Sequence, residues 1–247
     1  MGRVKAALIH FSISIVLFCS IVAVAIVAWY PPPYFFADGG WQMIRMAAGV
    51  DVVLGPLMTL VVFKVGKPRL KLDLSIIAVV QISVLIWGVV LMYQQRPAFL
   101  VFGVNQFYTV TEGQLTQDDD LETKLKMLEQ GTPAMVFVQL PPDVKERFSI
   151  LTATARGGRA FYTHPRLYEP LADHLPAVFN QSLDITGHAK GYPEDKVKLD
   201  AFMNKHGGQV EDYAFLPLKC RYKSLIMVLH KPDGKVVGTL DIKPPEL

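Results

Sequence analysis

The stretch "GVDVVLGPLMTLVVFK", Gly49–Lys64, reads as a membrane segment with a carboxylate inside it. Apart from Asp51 and the closing lysine, it holds apolar residues, Gly, Pro and Thr. Read back to Trp41, the apolar run extends over 41–63, and two further runs flank it at about 8–29 and 74–93. Each is long enough to cross a bilayer, which takes roughly 20 helical residues. The chain has 247 residues, 51% hydrophobic and 19% charged, yet nearly all the long apolar runs precede Gln94. From Arg96 onward the composition is that of a soluble domain. The expected organisation is therefore a membrane domain over 1–95 with three transmembrane helices, followed by one compact domain over 96–247.

The distribution of charge sets the expected orientation. The second loop, "KVGKPRLKLD", carries Lys64, Lys67, Arg69 and Lys71, and the amino terminus carries Arg3 and Lys5. The first loop, "YPPPYFFADGG", has no Lys or Arg. By the positive-inside rule the amino terminus and second loop are cytoplasmic and the large domain is outside. Trp29, Tyr30, Trp41 and Tyr93 fall at the outer ends, where amphipathic rings favour the headgroup layer. "AVA" at 23–25 resembles a signal-peptidase site, so cleavage of the first segment is the alternative to its retention as an anchor. The apolar run is longer than a usual signal core and favours retention. A formal charge of +3 is too small to indicate a nucleic-acid partner.

In the outer domain, "AFLVFGVNQFYTVT" reads as two short strands joined near Gly103–Gln106, and "AMVFVQL" as a third. "YAFLPLKC", "SLIMVLH" and "KVVGTLDI" read as three more, with "KPDGK" supplying the Asp-Gly chemistry of a tight hairpin. Short, turn-linked strands favour an antiparallel sheet. Three helices are interleaved. "DDLETKLKMLEQG" has Asp119 and Glu122 at capping-box spacing, "PDVKERFSILTATARGG" spaces Val144, Phe148, Leu151 and Ala155 as an apolar stripe, and "PEDKVKLDAFMNKHGG" begins near Pro193. The expected fold is thus three amino-terminal transmembrane helices followed by an α+β domain with an antiparallel sheet.

No catalytic, cofactor or metal constellation emerges. His164, His174, His188, His206 and His230 have no partners at zinc-ligand spacing, and surface or capping roles account for them better. "QDDDLE" lacks the following ligands of a calcium loop, and a helix amino terminus explains its charges. Arg156 and Arg159 around Gly157 and Gly158 could hold an anion, but a helix C-cap with cations at its negative end is preferred. Cys19 lies within the first span and Cys220 in the outer domain, which disfavours an intramolecular disulfide. A buried thiol is the preferred reading of Cys220, with a disulfide-linked dimer the alternative.

Asp51 carries more information. Counted from Trp41, it lies roughly 15 Å into the membrane, near the midplane, where a carboxylate must be paired, protonated or turned to polar groups. Gln81 and Ser83 of the third span, and Ser12 and Ser14 of the first, are the candidate intramembrane partners. Two readings stay open: an interhelical hydrogen bond worth about 1 kcal/mol, or a docking point for another membrane helix.

"FFADGGWQMIRMAAGVDVVLGPLMTLVVFKVGKPRLKLDLSIIAVVQ" followed by "YQQRPAFLVF" resembles the type IV pilin accessory proteins of the TfpX/TfpZ family. "HPRLYEPL" and "YAFLPLKCRYKSLIMVLHKPDGKVVGTLDIKP" extend the resemblance into the outer domain. The resemblance implies a multi-pass protein of the bacterial inner membrane with a periplasmic domain, partnered by type IV pilin or the pilus assembly machinery and by the lipid bilayer. It implies no catalytic residues. On this reading Asp51, with the close-approach residues Gly49 and Gly55, faces a pilin helix. The expected function is a noncatalytic, chaperone-like accessory to pilus assembly. A periplasmic sensor domain acting through a partner, or a membrane enzyme modifying pilin, are the alternatives.

Overall fold

The computed structural model describes residues 2–116 and 133–245. The expected helix in "DDLETKLKMLEQG" lies outside the described residues. The chain divides into two compact units, Met1–Arg96 and Pro97–Leu247.

The first unit contains three helices long and apolar enough to cross a membrane: α1 (Arg3–Trp29), α2 (Gly40–Val62) and α3 (Leu70–Gln94). Pro31, Pro32 and Pro33 follow α1, and a proline, lacking an N–H, cannot continue the ladder. The last turn of α1 widens to a π turn, in which the Tyr30 N–H reaches back to the Ala25 carbonyl at 2.7 Å. Near this end α1 and α3 are fastened together. The Tyr30 hydroxyl donates to the Met92 carbonyl at 3.0 Å, and the Trp29 and Tyr93 rings meet edge-on at 5.7 Å.

Helix α2 packs against both neighbours and is wound differently in its middle, where Gly49–Leu54 form a π-helical segment. The cause lies in the sequence. Pro56 has no N–H for the Val52 carbonyl, and its ring would press on that oxygen in a regular α-helix. The wider winding relieves both problems, and the Gly55 N–H bonds the Val50 carbonyl instead. Asp51 lies on this segment and is buried, while Val53 and Leu54 beside it are exposed.

In the second unit, strands β1 (Phe99–Gly103), β2 (Gln106–Val110), β3 (Ala134–Val138), β4 (Tyr168–Pro170), β5 (Tyr213–Lys219), β6 (Ser224–His230) and β7 (Val236–Leu240) form one sheet in the order β4-β3-β1-β2-β5-β6-β7. The sheet is mixed, which corrects the expectation of an antiparallel one. Pairs joined by tight turns, β1–β2, β5–β6 and β6–β7, are antiparallel, whereas β1–β3 and β2–β5 are parallel. Long connections precede β3 and β5, and a long crossover leaves strand direction free in a way that a hairpin does not.

The Asp-Gly hairpin is formed as its chemistry requires. Gly234 takes φ +68°, and Asp233 accepts from His230 Nδ1 at 2.9 Å and from the Lys235 N–H at 3.2 Å. Those bonds, with His230 foremost, hold the Asp233 carboxyl below its ordinary pKa.

Helices α4 (Val144–Ala155), α5 (Leu175–Phe179), α6 (Ile185–Gly191) and α7 (Pro193–His206) accompany the sheet. Helix α4 differs from expectation in its buried face. Val144 and Phe148 are exposed, Phe148 by 70%, whereas Ile150 packs into a core with Val101, Val136 and Phe161. A second core joins Leu199 and Phe202 of α7 to Phe215, Ile226 and Val228.

Candidate functional site

The first unit gathers its polar side chains where the three helices meet. His10 Nδ1 of α1 and Thr59 Oγ1 of α2 lie 2.6 Å apart, and Thr59 is buried. Asp51, only 7% exposed, lies within electrostatic reach of His10 but accepts no hydrogen bond among the described residues. Ser14 is buried on α1. From α3, Gln81 reaches across to Gly55, where its amide occupies the place of a glycine Cβ, and its Oε1 is buried without a hydrogen-bond donor among the described residues.

These residues line a largely apolar groove of about 440 Å³ whose walls include Ala6, Ile9, Ile13, Ile77 and Ala78. A second groove, of about 280 Å³, runs past Ile21, Met43, Val84, Gly88 and Met92. Phe18, Asp51 and Leu85, one residue from each helix, border both grooves. Asp51 therefore stands at the waist between them, a carboxylate among apolar walls.

Of the candidate partners of Asp51, the structure brings Ser14 and Gln81 to the same groove and leaves the other two outside. The Ser12 hydroxyl bonds the Leu8 carbonyl of its own helix at 2.9 Å, and Ser83 is exposed and lines neither groove. Gly55 is covered by Gln81, while Gly49 has nothing near the place of its Cβ. His10 and Thr59 were missed as site residues. Counted from Trp29 and Trp41, at the ends joined by the first loop, they fall at the same level, and that was the available signal.

In the second unit the singled-out groups have structural roles. Gly157, at φ +78°, closes α4 with a Schellman pair: Gly158 N–H to the Ala153 carbonyl at 2.9 Å and Gly157 N–H to the Thr154 carbonyl at 3.2 Å. Arg156 is the C-cap residue, in accord with the capping reading. Asp184 caps α6 by accepting from the Gly187 N–H at 2.8 Å. His174 is paired with Glu169 at 2.5 Å and stacked on Phe137, and His206 stacks on Phe202. Cys220 is buried. Among the described residues, no three His, Cys, Asp or Glu are grouped to hold a metal ion.

Comparison with known proteins gives this arrangement a context. The chain is 30% identical over 118 residues to the fimbrial assembly protein of serogroups C1 and C2 of Dichelobacter nodosus, a match spanning 47% of this chain and 89% of the relative. The chain belongs to the fimbrial assembly protein family. It is also 31% identical over 118 residues to the serogroup E1 fimbrial assembly protein and 30% identical to that of serogroup I, both from the same organism. In each of these two the match spans 46% of the relative, so the chain covers about half their length. No family model matches the chain, and no solved structure matches it. These relatives support the fimbrial assembly family rather than the narrower TfpX/TfpZ group. Membership supports a role in fimbrial biogenesis.

Proposed function

We propose that this family member is a noncatalytic accessory protein of the bacterial inner membrane that binds type IV pilin or the pilus assembly platform and promotes or tunes pilus formation, as TfpX/TfpZ-like proteins are expected to do. Its three apolar helices cross the membrane with the amino terminus in the cytoplasm, and the second unit is periplasmic. The fimbrial relatives support the process, and the lysines and arginines of the second loop support the orientation. The observation that carries the binding role is Asp51, a buried carboxylate with no hydrogen-bond donor among the described residues, standing between two apolar grooves. Polar groups at such depth are costly unless they meet a partner.

Deletion of the gene, followed by complementation, tests this reading through the amount of pilin sheared from the cell surface and the amount retained in the membrane. A drop in surface pili restored by the wild-type chain is expected. Alanine substitutions at Asp173, Asp184 and Glu194 separate the accessory role from an enzyme acting on pilin, because a scaffold tolerates each change alone. Loss of pilus assembly from one such change, with protein level and folding intact, would favour the enzyme.

A further inference from the structure

The two grooves belong to one valley. On α1 they follow Ala6, His10, Ser14, Leu17 and Ile21, and on α3 they follow Leu74, Ala78, Gln81, Leu85, Gly88 and Met92. Spacings of three and four residues keep each series on one helix face. The valley is pinned shut near Trp29 and Tyr93, where α1 and α3 are fastened, and its larger groove lies toward the opposite end. From Leu74 to Gly88, short of the fastened end, a helix advances about 21 Å, most of the roughly 30 Å of a bilayer's hydrocarbon core. The floor at mid-length holds the buried Asp51 carboxylate and Gln81 Oε1, which is buried without a hydrogen-bond donor among the described residues.

We propose that this valley seats one apolar, membrane-spanning helix of a partner protein, and that the seated helix carries a cationic or amine hydrogen-bond donor at the level of Asp51. The open length of the valley takes most of a span, and a buried carboxylate beside the unmet Gln81 acceptor calls for a donor. The apolar walls exclude a wholly polar segment. The inference deepens the proposed accessory function by assigning the pilus component's contact to the α1–α3 valley rather than to the outward face of α3, and by naming the group that the contact needs.

Photocrosslinking in cells, using the full chain, tests it. Probes are placed at Ala78 in the valley, at Val80 on the exposed face of α3, and at Phe148 on the second unit. Mass spectrometry of the Ala78 product is expected to return an apolar partner segment containing Lys, Arg or a free amino terminus. Asp51→Leu should lower the Ala78 yield about threefold to tenfold at equal protein level, the range of a single interhelical hydrogen bond, with Asp51→Glu retaining most of it. If Ala78 captures only lipid while Val80 or Phe148 captures a pilus component, the valley inference is overturned and the accessory function stands. Capture of no pilus component from any of the three positions overturns both.

Discussion

The side-chain amide of Gln81 fills the position that a Cβ would take on Gly55. Helices α2 and α3 approach closely because one residue has no side chain and the other uses the vacancy. Gly55→Ala should therefore displace the Gln81 amide, and the cost should depend on Gln81 being there. In a double-mutant cycle with Gln81→Ala, we expect a coupling of about 1 kcal/mol in the thermal stability of the full chain in detergent. Equal costs of Gly55→Ala in the two backgrounds would refute the contact.

The bond between His10 and Thr59 ties α1 to α2. Thr59→Val keeps the shape and removes the hydroxyl, and should cost about 0.6 kcal/mol, the average for such bonds between apolar helices, and no more than about 1.7 kcal/mol. His10→Leu in the Thr59→Val background should add little beyond its own packing change. Additive losses would mean that the two side chains act separately.

Much of the architecture was legible because it is written locally. The three apolar helices and the Asp-Gly hairpin each rest on neighbouring residues. The parallel pairings did not show, since β3 and β5 reach their partners across long connections with no signal at either strand. Strand β4 is three residues ending in Pro170, too short for a period to be read. At the site, Asp51 announced itself by its cost, and Gln81 and Ser14 by depth. Ser12 and Ser83 shared that depth but pointed elsewhere, because depth fixes level and not azimuth, and the π-helical segment alters the azimuth within α2.

The buried face of α4 provides a third test. Ile150→Ala should destabilise the second unit by about 2–4 kcal/mol through cavity formation, whereas Phe148→Ser should change it by less than about 0.5 kcal/mol. Hydrogen exchange across the sheet of the full chain would show the difference. A larger loss from Phe148→Ser would restore the face expected from the apolar stripe.

Burial raises the phenol pKa of Tyr108, Tyr162 and Tyr168. The folded chain therefore holds these protons more tightly than the unfolded chain does. Their contribution is complete below about pH 10, where an unfolded tyrosine begins to ionise, and stability should fall as pH rises beyond it. Tyr168, whose hydroxyl donates to the Tyr162 carbonyl at 2.5 Å, should carry a large share. Tyr168→Phe should flatten the alkaline limb of a melting-temperature profile. An unchanged slope would assign that limb to other groups.

The most direct test of the account is the number of surface pili in cells carrying Asp51→Leu at wild-type protein level, with normal protection of the second unit in hydrogen exchange. A buried carboxylate that serves to engage a partner helix predicts a marked fall in piliation, largely recovered by Asp51→Glu. Wild-type piliation from Asp51→Leu, in cells where deletion of the whole gene abolishes pili, would contradict it and return Asp51 to the internal packing of the three helices.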